Sequence, residues 1–278
     1  MQPVMATQGE RERALLMEQV IRDVRRLWFG ALAVPLAGAV GLVEGGGEMI
    51  VGVDTDGPGA DRLIAGAADR GAYVLTTSLS RPADLGARLR LAGYAAVQSH
   101  VTYVLDETAF ERAMAPQPPQ ERRRGLLTLL WRREPVNVEI RQIGPDELPR
   151  WNAVCWRAFG GRTSEAASLL DKQTAFGNMG SAARWYLAVA GARPVGTAIV
   201  YQGEGAAQVL AVGTLPALQS RGVATAVMKH LVRDWQAGGS GFLFLDTSPG
   251  STAERLYLRL GFRPSYLREV YAPSRTIP

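Results

Sequence analysis

The residues best suited to chemistry lie in one stretch, Val212-Gly213-Thr214-Leu215-Pro216-Ala217-Leu218-Gln219-Ser220-Arg221-Gly222-Val223-Ala224-Thr225. Val209 to Val212 is a short apolar run that Pro216 halts, and from Gly222 the apolar positions Val223, Val227, Leu231 and Val232 recur at helical spacing. A strand therefore hands over to a helix through a glycine. Such a turn aims unpaired backbone amides, at the positive end of the helix dipole, towards one point that favours a phosphate. Gly222 and Ala224 carry almost no side chain, so a diphosphate could approach the amides of Ser220 to Thr225, while Arg221 adds a fixed positive charge.

Spacing separates this loop from two common phosphate sites. No Gly-Lys-Ser/Thr follows it, and the three spaced glycines of a dinucleotide fingerprint are missing. Gln219-x-x-Gly222-x-Ala224, with Thr214-x-Pro216 ahead of it, instead resembles the Gln/Arg-x-x-Gly-x-Gly/Ala signature of the GCN5-related N-acetyltransferases (GNAT). Leu256-Tyr257-Leu258-Arg259-Leu260-Gly261-Phe262, one strand further on, resembles the Leu-Tyr-x-x-Leu-Gly-Phe element that closes the same family's cofactor site.

The resemblance implies transfer of an acetyl group from acetyl-CoA to a primary amine by direct attack, with no metal. It implies that Val212, Gly213, Thr214, Gln219, Ser220, Arg221, Gly222, Val223, Ala224 and Thr225 hold coenzyme A. The Thr214 amide would face the thioester oxygen, where negative charge builds, and Tyr257 would protonate the departing thiolate. The acceptor would be a small-molecule or peptide amine. Two departures weaken the match. Phe244 stands where members acting on protein N-termini often carry a glutamate, and Gly250 stands where the family has an asparagine, leaving Ser248 or Ser251 to replace its contact. Asp246, the nearest acid in sequence, reads as a strand-end cap. An acetyl-CoA-binding regulatory protein without efficient catalysis is the alternative.

Composition is compatible with this reading. The net charge is +5, and Lys172 and Lys229 are the only lysines, so the excess is arginine, which favours phosphate and carboxylate partners. Cys155 is the single cysteine, so no disulfide can form within the chain, and it reads as a small buried hydrophobe. His100 and His230 have no Cys or carboxylate at metal-ligand spacing. The uncharged run Trp28 to Val43 is shorter than the roughly 20 residues of a spanning helix. A cytoplasmic protein without membrane or nucleic-acid partners is expected, with a homodimer left open.

The elements that must position these residues come in two similar series. Glu10 to Arg26 reads as an amphipathic helix, followed by strands at Trp28 to Ala33, Ala37 to Glu44 and Met49 to Val53, a helix at Ala60 to Arg70, a strand at Tyr73 to Thr77, a helix at Ala83 to Leu91 and a strand ending near Val104. From Val138 a comparable order follows: a strand, two helices, three strands, the loop and its helix, a strand, the Tyr257 helix and a last strand near Leu267 to Tyr271. Gly38-Ala39-Val40 aligns with Gly196-Thr197-Ala198, Trp28-Phe29 with Trp185-Tyr186, and Gly93-Tyr94 with Gly261-Phe262. The first half is shorter where the second has its diphosphate loop, and Asp54-Thr55-Asp56-Gly57 stands there, with carboxylates that repel phosphate. The fold class expected is α/β: two GNAT-like mixed domains in tandem, each a twisted, mostly antiparallel sheet flanked by helices. The expected division is a degenerate domain at 10–114 without a cofactor loop, a Pro- and Arg-rich linker at 115–135, and an acetyl-CoA-binding domain at 136–278. The linker's Arg122-Arg123-Arg124 reads as solvated charge rather than a nucleic-acid contact.

Overall fold

A computed structural model describes residues 7–29, 31–44, 47–115 and 134–274. The first half runs α1 (Gln8–Phe29), β1 (Leu32–Leu36), β2 (Ala39–Glu44), β3 (Gly47–Val51), α2 (Gly57–Arg70), β4 (Tyr73–Thr77), α3 (Leu85–Leu91), β5 (Tyr94–Leu105) and α4 (Glu107–Met114). The second runs β6 (Glu139–Gln142), α5 (Leu148–Ala158), α6 (Glu165–Met179), β7 (Ala183–Ala190), β8 (Arg193–Gln202), β9 (Ala206–Thr214), α7 (Val223–Gly238), β10 (Phe242–Thr247), α8 (Thr252–Arg259) and β11 (Phe262–Pro273). Most of the linker expected at 115–135 lies outside the described residues. The Trp28 to Ala33 strand is corrected. The apolar stripe Ala14, Met17, Val20, Ile21 and Val24 is buried and keeps α1 helical through Phe29, and the Trp28 ring stacks on Trp185 at 5.8 Å. The suggested match of Trp28-Phe29 with a second-half strand fails with it.

The architecture is mixed α/β with mostly antiparallel strands, and all strands of both halves join one sheet in the order β1-β2-β3-β4-β11-β5-β10-β9-β8-β7-β6. Only β3–β4 and β9–β10 are parallel pairs of named strands. Each half sends its last strand beside the other half: β11 pairs with β4 from Arg268↔Thr77 to Tyr271↔Val74, and β5 pairs with β10 from Phe244↔Val104 to Thr247↔Val101. The two exchanged strands lie against each other from Phe262↔Leu105 to Pro273↔Tyr94. Sequence alternation explains why β5 suits an interior position. Tyr103 and Leu105 face the cluster under α7 and α8, while Val104 faces the cluster under α1, α5 and α6.

A buried ion cluster crosses this exchange. Arg268 on β11 is 5% exposed. Its Nη1 donates to Asp246 Oδ2 at 3.0 Å, and its Nε lies 3.0 Å from Glu18 Oε1 on α1, as an ion pair without hydrogen-bond geometry. Tyr266 Oη donates to Glu18 at 2.7 Å, Thr102 Oγ1 to Asp246 Oδ1 at 2.5 Å and Gln208 Nε2 to Asp246 Oδ2 at 3.2 Å. Burial works against the Arg268 charge, but Glu18 and Asp246 outweigh it and hold the guanidinium above its ordinary range. Asp246 is therefore not a strand-end cap. It lies at a crossing point of β9, β10, β5 and β11.

Arg268→Met leaves two carboxylates facing one another without their cation. A loss of about 3–5 kcal/mol is expected in denaturant unfolding. A fragment of residues 136–278 lacks β5, leaving β10 and β11 without the strand between them. It is expected to show no cooperative thermal transition, where the full chain does.

Candidate active site

The parallel pair β9–β10 holds together only from Ala206↔Phe242 to Val209↔Leu245. Beyond that point β9 continues to Thr214 against β8, and β10 continues to Thr247 against β5, so the sheet splits between them. A bulge drives β9 away. Two residues, Ala211 and Val212, stand against Ala198 alone, because Thr197 pairs with Gly213 and Ile199 with Leu210. Ala211 takes a positive φ of 50°, and Thr197 Oγ1 supports the bulge by donating to the Ala211 carbonyl at 3.0 Å.

The split leaves polar backbone facing it. Leu215 N–H donates to the Val195 carbonyl at 3.0 Å, and antiparallel pairs alternate between bonded and non-bonded positions, so the Thr214 amide points away from β8 towards the gap. Thr214 Oγ1 is buried there without a hydrogen-bond partner.

At the mouth of the split the chain turns through Pro216–Leu218 and reaches the start of α7. Gly222 is the N-cap, at φ 85° and with no capping side chain. The first backbone bond that it accepts comes from Ala226 at 2.9 Å, so the amides of Val223, Ala224 and Thr225 lead the helix without intrahelical partners. A Cβ built on Gly222 meets nothing within 4 Å, so its glycine serves the backbone turn and leaves open space above the amides. Gln219 and Ser220 are exposed, with Ser220 also at positive φ. Val223 contributes only its amide, because its side chain is buried against Gly196. Arg221 is partly committed elsewhere, since its Nε donates to the Glu134 carbonyl at 2.8 Å. These free amides, the orphaned Thr214 hydroxyl and the open space fit an anionic ligand that runs from the helix start into the split.

Tyr257 on α8 is 6% exposed, in the same apolar cluster as Leu215, Val223 and Val227. Burial pushes its phenol up to about 12, and no hydrogen-bond partner for it occurs among the described residues. Of the two serines suggested as replacements for the family asparagine, Ser251 is occupied as the α8 N-cap, accepting from Glu254 N at 3.0 Å, whereas Ser248 is exposed. Ser251-x-x-Glu254 is a capping-box spelling that could have been found in the sequence. Phe244 is fully buried beneath α1. Cys155 is buried, and burial pushes its thiol up to about 11. Among the described residues, no group of three or more His, Cys, Asp or Glu could hold a metal ion, and no helix is long and apolar enough to cross a membrane.

The corresponding gap in the first half is filled by the chain itself. Arg81 N–H donates to the Val53 carbonyl at 2.8 Å, and Arg81 bridges Asp54 beyond the short β3–β4 pairing. The start of α2 is also taken: Asp56 accepts from Gly59 N at 2.6 Å where α7 has an uncapped glycine.

A mixed sheet split between two parallel strands, with an uncapped helix start at the mouth of the split, is the arrangement the two sequence motifs led one to expect. Residues 181–264 match the family model of the acetyltransferase (GNAT) domain, which lies wholly in the second half of the chain. Similar folds cover nearly the whole chain. A GCN5-related N-acetyltransferase from Kribbella flavida superposes with a TM-score of 0.62 at 17% identity, covering 96% of this chain and 95% of that one. A GCN5-related N-acetyltransferase from Sphaerobacter thermophilus gives 0.58 at 18% identity, covering 91% and 84%. A functionally unknown conserved protein from Staphylococcus epidermidis gives 0.58 at 12% identity, covering 90% and 96%. No curated protein matches the sequence.

Gly222→Glu places a carboxylate in the open space above the amides and forces a side chain into the left-handed region. Coenzyme A binding measured by calorimetry is expected to disappear, and the parent chain should titrate with one site.

Proposed function

We propose that the chain is an acyl-CoA-dependent N-acyltransferase that moves acetyl from acetyl-CoA to a primary amine of a small molecule or peptide, in the second half of the chain. The observation that carries this reading is the β9–β10 split leading to the uncapped N-terminus of α7. The amides of Ser220 to Thr225 and the helix dipole hold the diphosphate. Val212, Gly213 and Thr214 line the acyl arm along the split edge of β9. The substrate's thioester supplies an activated acyl group, and the Thr214 amide meets the carbonyl oxygen as charge builds on it.

Once the amine attacks, the carbon–sulfur bond breaks and the thiolate takes a proton from Tyr257. Burial, which pushes this phenol up to about 12, keeps it protonated at neutral pH, and with no hydrogen-bond partner among the described residues its proton is available. The first half, residues 10–114 in the expected division, binds no second coenzyme A, because Asp56 and Arg81 occupy the positions a ligand would need. One observation favours the second reading, binding without turnover: Asp246, the acid nearest the split in sequence, is fully engaged by Thr102, Gln208 and Arg268.

Tyr257→Phe separates these readings, because it removes one oxygen and keeps the ring. For an acetyltransferase, kcat over a panel of amines should fall by about a hundredfold to ten-thousandfold with coenzyme A affinity unchanged. An unchanged rate takes Tyr257 out of the mechanism.

A further inference from the structure

We propose that the first half of the chain is a working part of the transfer site, and that Tyr103 on β5 is a positioning residue that sets α8 and, through it, Tyr257. The proposal rests on the reading of Tyr257 as proton donor.

The helix α8 spans eight residues, fewer than the roughly 12–15 that a helix needs to be marginally stable alone. Its attachments therefore decide where Tyr257 stands. At the N-terminal end, Glu254 Oε2 accepts from Gly250 N at 2.6 Å, and Glu254 Oε1 accepts a hydrogen bond from Tyr103 Oη. Tyr103 is 1% exposed, and burial together with this bond to Glu254 raises its phenol far above the ordinary range. One buried hydroxyl thus anchors both the helix start and the turn at Gly250, beside the exposed Ser248.

The other end of α8 is fixed by the same segment of chain. Asp106 N–H donates to the Gly261 carbonyl at 3.0 Å. A Cβ at Gly261 would lie 2.6 Å from Phe110 N and 2.9 Å from the Ala109 carbonyl carbon, so the glycine of the Leu-Tyr-x-x-Leu-Gly-Phe element is required by the backbone of α4. Gly261 also sits at φ 90°. The ring that Tyr257 meets edge-on at 5.9 Å is Phe262, whose register partner is Leu105. Residues 103–110 of the first half therefore hold α8 at both ends and back the one ring its phenol carrier leans on. A conserved-shape swap at Tyr103 leaves this packing in place and removes only the anchor at the N-terminal end.

The test uses the full chain and compares Tyr103→Phe, Tyr257→Phe and the double variant, with an amine that the parent chain acetylates. Tyr103→Phe should lower kcat by about tenfold to a hundredfold, with the KM for acetyl-CoA within about twofold of the parent value. In the Tyr257→Phe background the same change should alter kcat by less than about twofold, because the group it positions has gone. An equal loss in both backgrounds, or no loss in the first, overturns the proposal. Tyr257→Phe losing rate while Tyr103→Phe does not would overturn the positioning role alone and leave the proton-donor reading standing. If Tyr257→Phe keeps its rate, that reading fails, and amide hydrogen exchange decides the positioning role. Tyr103→Phe and Glu254→Gln should then both speed exchange at Gly250 and across α8 without changing β8 and β9, and unaltered protection there overturns it.

Discussion

The structure depends on Arg268 staying charged where water cannot reach it. A lone buried guanidinium would cost several kcal/mol, so its tolerance here requires both Glu18 and Asp246, and these come from the first helix and from β10. Asp246 in turn needs Thr102 from β5 and Gln208 from β9 to satisfy its remaining lone pairs. Every exchange of strands between the halves meets in this cluster. An ion group of this kind adds little net stability relative to a well-packed apolar one, but it penalises any alternative register of β5, β10 or β11 that separates its members.

The two halves apply one plan with opposite outcomes at the gap between their parallel strands. In the second half a bulge at Ala211 and Val212 holds the gap open, and a bare glycine leaves the helix amides unsatisfied. In the first, an aspartate satisfies the helix start and the backbone of Arg81 closes the gap. Unsatisfied groups at one end of the molecule are thus matched by satisfied ones at the other. The first half is sealed at this point by its own chain, and the second is left open.

Local signals in the sequence carried much of this. The helical spacing after Gly222 located α7, and the Tyr73 to Thr77 run matched β4 to the residue, because period and punctuation are properties of neighbouring residues. Asp54 and Asp56 read in sequence as charge that repels phosphate, and in the structure Asp56 caps the start of α2. What the sequence left hidden was long-range. Alternation in β5 shows two buried faces but not which strands lie alongside, and strands 140 or more residues away turn out to be its neighbours. Trp28 misled for the same reason: it stacks on Trp185, far along the chain, at the end of a helix where local composition suggested a strand. Asp246 looked like a terminus cap because its three partners lie on three other strands.

The position of β11 has a consequence for how the chain is made. It is made after the other ten strands of the sheet, yet it lies near the middle, between β4 and β5. Until it arrives, β4 and β5 each present an unpaired interior edge rich in apolar residues, and the nascent chain holds two incomplete half-sheets. Closure must therefore wait for residues 262–273, making assembly of the sheet an all-at-once event dominated by contacts of high sequence separation. Such a chain is exposed to strand capture by a second nascent copy until β11 is in place, and a premature stop before Phe262 would leave that exposure permanent.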